Sequence, residues 1–203
     1  MNEGYIKFNC DWTQQEIEMN EHVFQELEKQ RSRLYDLGLI GMYPDGIGFG
    51  NISVRRTTDY KFFITASATG QFPRLTISNY SLVTDFNLEG NLVSCTGSAR
   101  ASAESLTHAA VYAALPEVGA VVHVHSLVLW QKLLHKYPTT TETIEYGTPE
   151  MALAVKELAA MSDSHSEKII IMGGHREGIL AYGGTLEEAT SAIINIYNQY
   201  RND

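Results

Sequence analysis

The spacing of apolar and polar positions divides this 203-residue chain into a helical start, a β-rich first half and a second half of alternating helices and strands. A capping box in TQQE at residues 13–16, followed by apolar residues at near-helical spacing up to Gly38, predicts a long first helix. YPDGIGFGN then gathers turn-forming residues. The segments ISVRR, YKFFITA and YSLVTDF are β-prone, and NLEGN before LVSCTG indicates a hairpin turn, so we predict an antiparallel sheet here.

The second half begins with the alanine-rich segment SAESLTHAAVYAAL, whose apolar residues fall on one helical face, and continues into a strand, GAVVHVHS. Further helices are predicted over residues 127–135 and from Thr148, where Pro149 takes the first helical position. KIIIMGG and GILAYGG predict two more strands, and a second capping box, Thr185 with Glu188, opens a final helix. Helices flanking a sheet predict an α/β layer fold.

Length and composition favour one compact domain. Apolar residues make up 44% of the chain, which is long enough to bury a sizeable core. No linker, low-complexity tract or solenoid repeat interrupts the sequence. We therefore expect a single domain over residues 1–203.

The acidic balance of the chain limits its partners. A formal charge of −9 and a pI near 5.2 leave no basic stripe for nucleic acid, and a phosphorylated ligand would need local N–H groups, hydroxyls or one placed cation. The first residues lack the regions of a signal peptide, and no apolar run approaches the ~18 residues of a membrane span. We expect a cytoplasmic protein that binds no membrane, with Cys10 and Cys95 as free thiols.

The strand AVVHVHS carries the first candidate chemistry. Side chains alternate along a strand, so His123 and His125 project from the same face about 7 Å apart along the chain, with Val122 and Val124 on the other face. Both imidazoles can therefore approach one metal ion. The alternative is a pair of hydrogen-bonded strand histidines, which is less favourable because two buried imidazoles without an ion lose hydration and gain no compensating charge.

A catalytic zinc site typically needs a third protein ligand beside an open position. The best candidate is His175 in IIIMGGHREGILAYG, where two glycines allow a tight turn at a strand end. Its alternative interpretation is an ordinary turn histidine.

Glu104 and His108 lie one helical turn apart near the start of the alanine-rich helix. A carboxylate in the first turn is favoured by the helix dipole, so Glu104 could serve as a capping residue, a fourth metal ligand or a general base. For His108 we favour packing, or a role in orienting the residues that bind the metal.

Five sequence blocks, in order, resemble the class II aldolase and adducin family of zinc-dependent sugar-phosphate aldolases and epimerases. The blocks are GFGNISVR, FFITASATG, SAESLTHAAVYAALPEVGAVVHVHS, YGTPEMA and GGHREGILAYG, and the resemblance covers nearly the whole chain. It implies a three-layer α/β/α fold with a central, largely antiparallel sheet flanked by helices. It also implies a homotetramer with sites at the subunit interfaces.

The resemblance further implies zinc, or another divalent transition metal, bound by His123, His125 and His175. Glu104 would approach the metal and act as general acid and base, while the metal stabilises an enediolate. A substrate phosphate would contact four residues by the same resemblance, and helix N-termini suit anions. These are Asn51, Thr69, Gly70 and Ser102.

Two departures from the family pattern concern the substrate. The second serine of the family's Ser-Ser-Glu is Ala103, which removes one hydroxyl donor from the phosphate site. The segment that carries the family's proton-donating tyrosine is missing, and Tyr137 and Tyr146 are candidate substitutes for which simple packing is favoured.

These features together predict a metal-dependent lyase of aldolase type that cleaves or forms a C–C bond in a small hydroxy-carbonyl compound such as a sugar phosphate. A dehydratase or an epimerase would use the same metal site and enolate chemistry. A non-catalytic module of the adducin kind is the third interpretation, although here the three histidines and Glu104 are all present.

Overall fold

The computed structural model describes residues 6–56, 59–161 and 168–200, which form five helices, ten strands and a short 3-10 helix at Ile77–Asn79. The helices are α1 (Glu21–Asp36), α2 (Ser105–Ala114), α3 (Leu127–Leu133), α4 (Pro149–Met161) and α5 (Leu186–Tyr200). The strands are β1 (Asn9–Gln14), β2 (Gly41–Met42), β3 (Gly48–Phe49), β4 (Asn51–Arg55), β5 (Phe62–Thr65), β6 (Tyr80–Asn87), β7 (Leu92–Gly97), β8 (Ala120–His125), β9 (Ile169–Ile171) and β10 (Gly178–Gly183).

Eight of the strands form one sheet in the order β1-β7-β6-β5-β4-β8-β10-β9, and β2 and β3 form a separate small hairpin. Every neighbouring pair in the large sheet is antiparallel except β1 with β7. The histidine strand β8 lies inside the sheet, between β4 and β10. The predicted largely antiparallel sheet is therefore confirmed.

Two apolar cores cover the two faces of this sheet. Residues of α2 and α4 pack on one face, and residues of α1, α3 and α5 pack on the other. The side chains of β8 alternate between the two faces as predicted, since Val122 and Val124 belong to the core under α1, α3 and α5 and the two histidines do not. The result is the three-layer α/β/α arrangement predicted from the sequence.

The predicted start of the first helix is wrong. Residues 13 and 14, which open the TQQE capping box, belong to strand β1, and α1 begins at Glu21 with Asn20 as its N-cap. The side chain of Asn20 accepts a hydrogen bond from the backbone N–H of His22 at 2.9 Å. Parallel pairing of β1 with β7 satisfies the backbone of this segment instead, and Trp12 Nε1 donates to the Gly97 carbonyl at 3.0 Å.

The two cysteines are neighbours in space. Cys10 on β1 and Cys95 on β7 have Sγ atoms 3.8 Å apart, although 85 positions separate them in the sequence, and both are free thiols in the structure. No helix within the described ranges is long and apolar enough to cross a membrane.

The antiparallel order brings several strand ends to one edge of the sheet. Asn51 at the start of β4 pairs with His123, and Gly178 at the start of β10 pairs with His125 at the end of β8. The loop after β5 and the start of α2 reach the same edge, where they line one cleft with the β8 histidines. This edge is where the sequence-predicted residues meet.

Candidate functional site

Three histidines form a compact group of nitrogen atoms at this edge. One ring nitrogen from each of His123, His125 and His175 lies within 4.8 Å of the others, and all three side chains are buried. His123 Nε2 and His125 Nε2 are 2.9 Å apart. Two ligand nitrogens of a tetrahedral zinc lie about 3.3 Å apart when each Zn–N bond is ~2.0 to 2.1 Å, so small ring shifts would fit these rings to one ion.

Hydrogen bonds behind the two strand histidines indicate which nitrogens carry hydrogen. His123 Nδ1 lies 3.3 Å from the carbonyl oxygen of Ile179, which can only accept, so the hydrogen of a neutral ring is at Nδ1. His125 Nδ1 lies 2.8 Å from the hydroxyl of Tyr43. If His125 also carries its hydrogen at Nδ1, the two Nε2 lone pairs face each other across 2.9 Å, an arrangement that a cation between them relieves.

Burial keeps these rings neutral. It lowers the pKa of both His123 and His125 well below the ordinary value of 6.5, and the neighbouring histidines lower it further. Neutral imidazole is the form that binds a metal ion. The two neutral imidazoles of His123 and His125, with the buried imidazole of His175 beside them, thus form a donor set that fits a divalent transition metal.

His175 lies at the tip of the β9–β10 hairpin. Its backbone N–H donates to the Met172 carbonyl at 3.1 Å, and its own carbonyl accepts from Gly178 N–H at 2.8 Å. A side chain at Gly178 would collide with the cluster, since a Cβ there would lie 2.9 Å from His175 Cγ and Nδ1 and 3.1 Å from His123 Cε1. Glycine at this position therefore allows the third histidine to approach the other two.

Glu104 borders the histidine group. It is the N-cap residue of α2, its Oε1 lies 3.8 Å from His175 Nδ1, and its Oε2 accepts a 2.6 Å hydrogen bond from Thr107 Oγ1. The side chain is buried and lines the cleft beside His123 and His125. Among the described residues, the compact donor group consists of the three histidines, so Glu104 stands at its edge with its carboxylate held by Thr107.

The four residues expected to bind phosphate line the same cleft. Asn51 is buried, and its Oδ1 has no hydrogen-bond partner in the described part of the chain. Ser102 Oγ accepts from the Glu104 N–H at 3.3 Å. The Thr69 hydroxyl instead donates to the Ala66 carbonyl at 2.8 Å, within its own loop.

A buried arginine donates a hydrogen bond to the backbone of the loop that contains Thr69 and Gly70. Arg31 on α1 is 1% exposed, and its Nη2 donates to the Thr69 carbonyl at 3.1 Å. Because C=O and N–H point in opposite directions across a trans peptide, this bond directs the Gly70 N–H away from Arg31. Burial lowers the pKa of Arg31 from its ordinary value, while Tyr80 and Glu28 raise it. The sequence pattern did not single out this cation.

Two aromatic rings stack on the histidines: that of Phe49, which the sequence left unassigned, and that of Tyr146, for which the sequence favoured packing. Phe49 stacks on His125 with ring centroids 5.4 Å apart, and Tyr146 stacks on His175 at 4.6 Å. Lys7 Nζ lies over the Tyr146 ring, 3.7 Å from its centroid. Glycines flank these positions in the sequence, GG at residues 173–174 and GFG at residues 48–50. Such glycines are the sequence signal that the backbone approaches the histidine rings closely. Tyr137 packs against the core under α1, α3 and α5, as the packing interpretation expects.

His108 belongs to a separate buried hydrogen-bonded group. Its Nδ1 lies 2.7 Å from Ser53 Oγ, which is 2.8 Å from the Tyr112 hydroxyl. Burial lowers the pKa of His108 to about 3. The interpretation of His108 as a packing residue agrees with this position between α2 and β4.

Comparisons with known proteins place this geometry in context. Residues 44–199 match the family model described as Class II Aldolase and Adducin N-terminal domain. YgbL from Klebsiella pneumoniae is 21% identical, with a TM-score of 0.67 over 91% of this chain and 90% of that one. L-fuculose-1-phosphate aldolase from Thermus thermophilus is 22% identical, with a TM-score of 0.65 over 90% and 93%. A sugar-phosphate aldolase from Thermotoga maritima is 19% identical, with a TM-score of 0.66 over 89% and 93%. These structures share the fold.

Proposed function

Because this chain belongs to the class II aldolase and adducin family, we propose that it is a metal-dependent lyase of aldolase type. Its substrate would be a small hydroxy-carbonyl compound with an anionic group, and sugar phosphates are the class we favour. The observation that carries the proposal is the pair of Nε2 atoms of His123 and His125, 2.9 Å apart beside His175.

The metal proposed is zinc or another divalent transition metal bound by His123, His125 and His175. Three imidazoles suit such ions, and they leave a position for substrate. When bound, the metal supplies Lewis-acid stabilisation of negative charge on substrate oxygen during C–C cleavage or formation.

Glu104 is proposed as the group that moves protons. Its carboxylate lines the cleft next to the histidines, and the Thr107 hydroxyl holds Oε2 while Oε1 lies toward His175. A positioned carboxylate can take a proton from a substrate hydroxyl and return it to carbon or oxygen. The position at the edge of the donor group favours this role over that of a permanent fourth ligand.

The anionic group of the substrate is proposed to lie against Asn51, Thr69, Gly70 and Ser102. The buried Asn51 amide, the Ser102 hydroxyl and the loop backbone would supply polar contacts that do not depend on Ala103. Arg31 behind the loop adds a fixed positive charge in a chain whose formal charge is −9. The names of two structurally similar proteins, aldolases of L-fuculose 1-phosphate and of sugar phosphates, support this substrate class.

We also propose that residues 1–203 form one domain, that the protein is cytoplasmic, and that it assembles as a homotetramer with sites at subunit interfaces. The single eight-stranded sheet supports one domain. Met42 pairs with the cleft residue Gly48, and Phe72 follows the cleft residue Gly70 by two positions. Their apolar side chains are 47% and 42% exposed, which supports the proposal that another subunit covers this surface beside the site. Sedimentation of the purified protein measures the assembly directly.

Metal analysis followed by an activity screen tests the proposed function. Purified or zinc-reconstituted protein should hold stoichiometric metal, His123→Ala should lose it, and His22→Ala, which changes an exposed histidine on α1, should retain it. The metal-loaded protein is then tested against ketose phosphates while product aldehyde, water loss and stereochemistry are followed. Aldehyde release supports the lyase, whereas water loss or inversion alone indicates a dehydratase or an epimerase. A protein that binds no metal after reconstitution would instead be a non-catalytic module.

A further inference from the structure

We propose that Tyr43 and Glu177 are positioning residues that fix the tautomer and direction of His125 through a carboxylate–phenol–imidazole hydrogen-bond chain. The proposal rests on the metal site described under the proposed function, and it adds two residues that contact neither metal nor substrate. Tyr43 opens the turn between β2 and β3, whereas Glu177 lies between His175 and Gly178 in the β9–β10 hairpin. The fold brings these two distant loops together behind one histidine.

The distances define a continuous chain. The Tyr43 hydroxyl oxygen lies 2.8 Å from His125 Nδ1 and 2.8 Å from Glu177 Oε2. On the other side of the same ring, His125 Nε2 faces His123 Nε2. The hydrogen-bond chain therefore contacts the nitrogen that is turned away from the proposed metal.

Counting hydrogens determines the direction of each bond. An ionised carboxylate only accepts, and a tyrosine hydroxyl has one hydrogen to donate. The Tyr43 hydrogen is therefore given to Glu177, and the Tyr43 oxygen accepts from His125 Nδ1–H. This arrangement leaves the lone pair of His125 at Nε2, as metal binding requires.

The surroundings hold each member of the chain in place. Tyr43 packs on Phe49 with ring centroids 4.5 Å apart, and Phe49 stacks on the His125 ring. Glu177 adopts φ 77°, in the left-handed region that non-glycine residues rarely occupy, and its carbonyl accepts from Ser126 N–H at 3.0 Å. A side chain held in a strained turn by such contacts is typical of a functional position.

The two strand histidines are oriented by different groups. His123 is oriented by the backbone carbonyl of Ile179, which every residue type at that position would provide. His125 is oriented by two side chains, so its tautomer and ring direction depend on the residues at positions 43 and 177. Substitutions at these two positions should therefore tune the metal site without removing a ligand.

Metal affinity measured by chelator competition tests the chain. Tyr43→Phe removes only the hydroxyl and should weaken zinc binding about 10- to 100-fold, the usual effect of losing such a partner. Glu177→Gln keeps an acceptor oxygen and should lose less. Tyr60→Phe, which removes a hydroxyl from a tyrosine that is 67% exposed, should leave the affinity unchanged.

Nitrogen-15 chemical shifts of the histidine rings give a readout that does not depend on metal or activity. In the metal-free wild-type protein they should show the His125 hydrogen at Nδ1, and in Tyr43→Phe they should move toward a mixture of tautomers. Wild-type shifts in Tyr43→Phe would overturn the proposal, as would unchanged affinity with only a loss of thermal stability. If the wild-type protein shows the Nδ1–H tautomer but binds no zinc, the hydrogen-bond chain stands and the proposed function fails.

Discussion

Replacing Gly178 with alanine would place a methyl group inside the histidine cluster. The new Cβ would lie 2.9 Å from His175 Cγ and Nδ1 and 3.1 Å from His123 Cε1, whereas ordinary van der Waals contacts between carbon atoms lie near ~3.5 Å or more. The rings must therefore move by about half an ångström, and metal–ligand distances tolerate only about 0.2 Å. We expect Gly178→Ala to lower zinc affinity by about 100-fold or more.

That loss has a thermal signature. A metal present at about 100 times its dissociation constant stabilises the folded state by ~2.7 kcal/mol, most of which would disappear in the variant. For a protein of this size, the zinc-induced rise in Tm should fall by roughly 5 to 10 °C. Differential scanning calorimetry with and without zinc measures the rise, and the scan without zinc separates any direct packing cost from the loss of metal binding.

The matched control is Gly184→Ala, beyond the other end of β10. The nearest atoms to a Cβ at Gly184 would be those of the Glu188 carboxylate, at 3.4 Å or more, which is ordinary contact. The control should keep the full zinc-induced rise in Tm. If Gly178→Ala also keeps it, the close approach of the hairpin to the rings does not determine metal binding, and our reasoning about the site is refuted.

Three further predictions address proton transfer, anion binding and the start of α1. Glu104→Gln should retain zinc by metal analysis and lose about 100-fold or more in turnover, because the general base is gone, and unchanged turnover would exclude Glu104 from the mechanism. Arg31→Met should weaken inorganic phosphate binding to the zinc-loaded protein by about tenfold in calorimetry, because the loop carbonyl loses a charged donor, and equal phosphate affinity would contradict this. Asn20→Ala should cost about 0.5 to 2 kcal/mol in urea denaturation while Asn20→Asp costs little, and an alanine variant as stable as wild type would place the N-cap elsewhere.

Features that depend on local periodicity could be predicted from the sequence. The alternation of AVVHVH predicted that His123 and His125 share a face, because a strand turns successive side chains to opposite sides whatever its neighbours are. The hairpin at NLEGN and the capping of α5 by Thr185 follow from equally local rules, and Thr185 Oγ1 does accept from Glu188 N–H at 3.2 Å. These predictions are confirmed by the structure.

Features that depend on pairing between distant segments were not accessible. The motif TQQE matches a capping box by itself, but the pairing of β1 with β7, more than 80 positions away, outweighs it, and the N-cap of α1 is Asn20 instead. Likewise, nothing in YPDGIGFGN indicates that Tyr43 meets Glu177, 134 positions further on. A single sequence gives the propensities of each segment, whereas the contacts that orient His125 depend on the register of the whole sheet.

Strand β8 lies inside the sheet, with His123 paired to Asn51 on one side and to Leu180 on the other. His123 pairs with both neighbouring strands, and His125 pairs with Gly178 while its N–H donates to the Leu39 carbonyl at 3.0 Å; none of these backbone contacts needs an ion. We therefore expect the metal-free protein to stay folded, in contrast to small zinc domains whose chain is ordered only by the ion. Because the sheet holds the backbone of both ligand positions fixed, we expect the site to favour metal ions whose size and coordination geometry match it. Removing the metal and adding it back should therefore be reversible at room temperature.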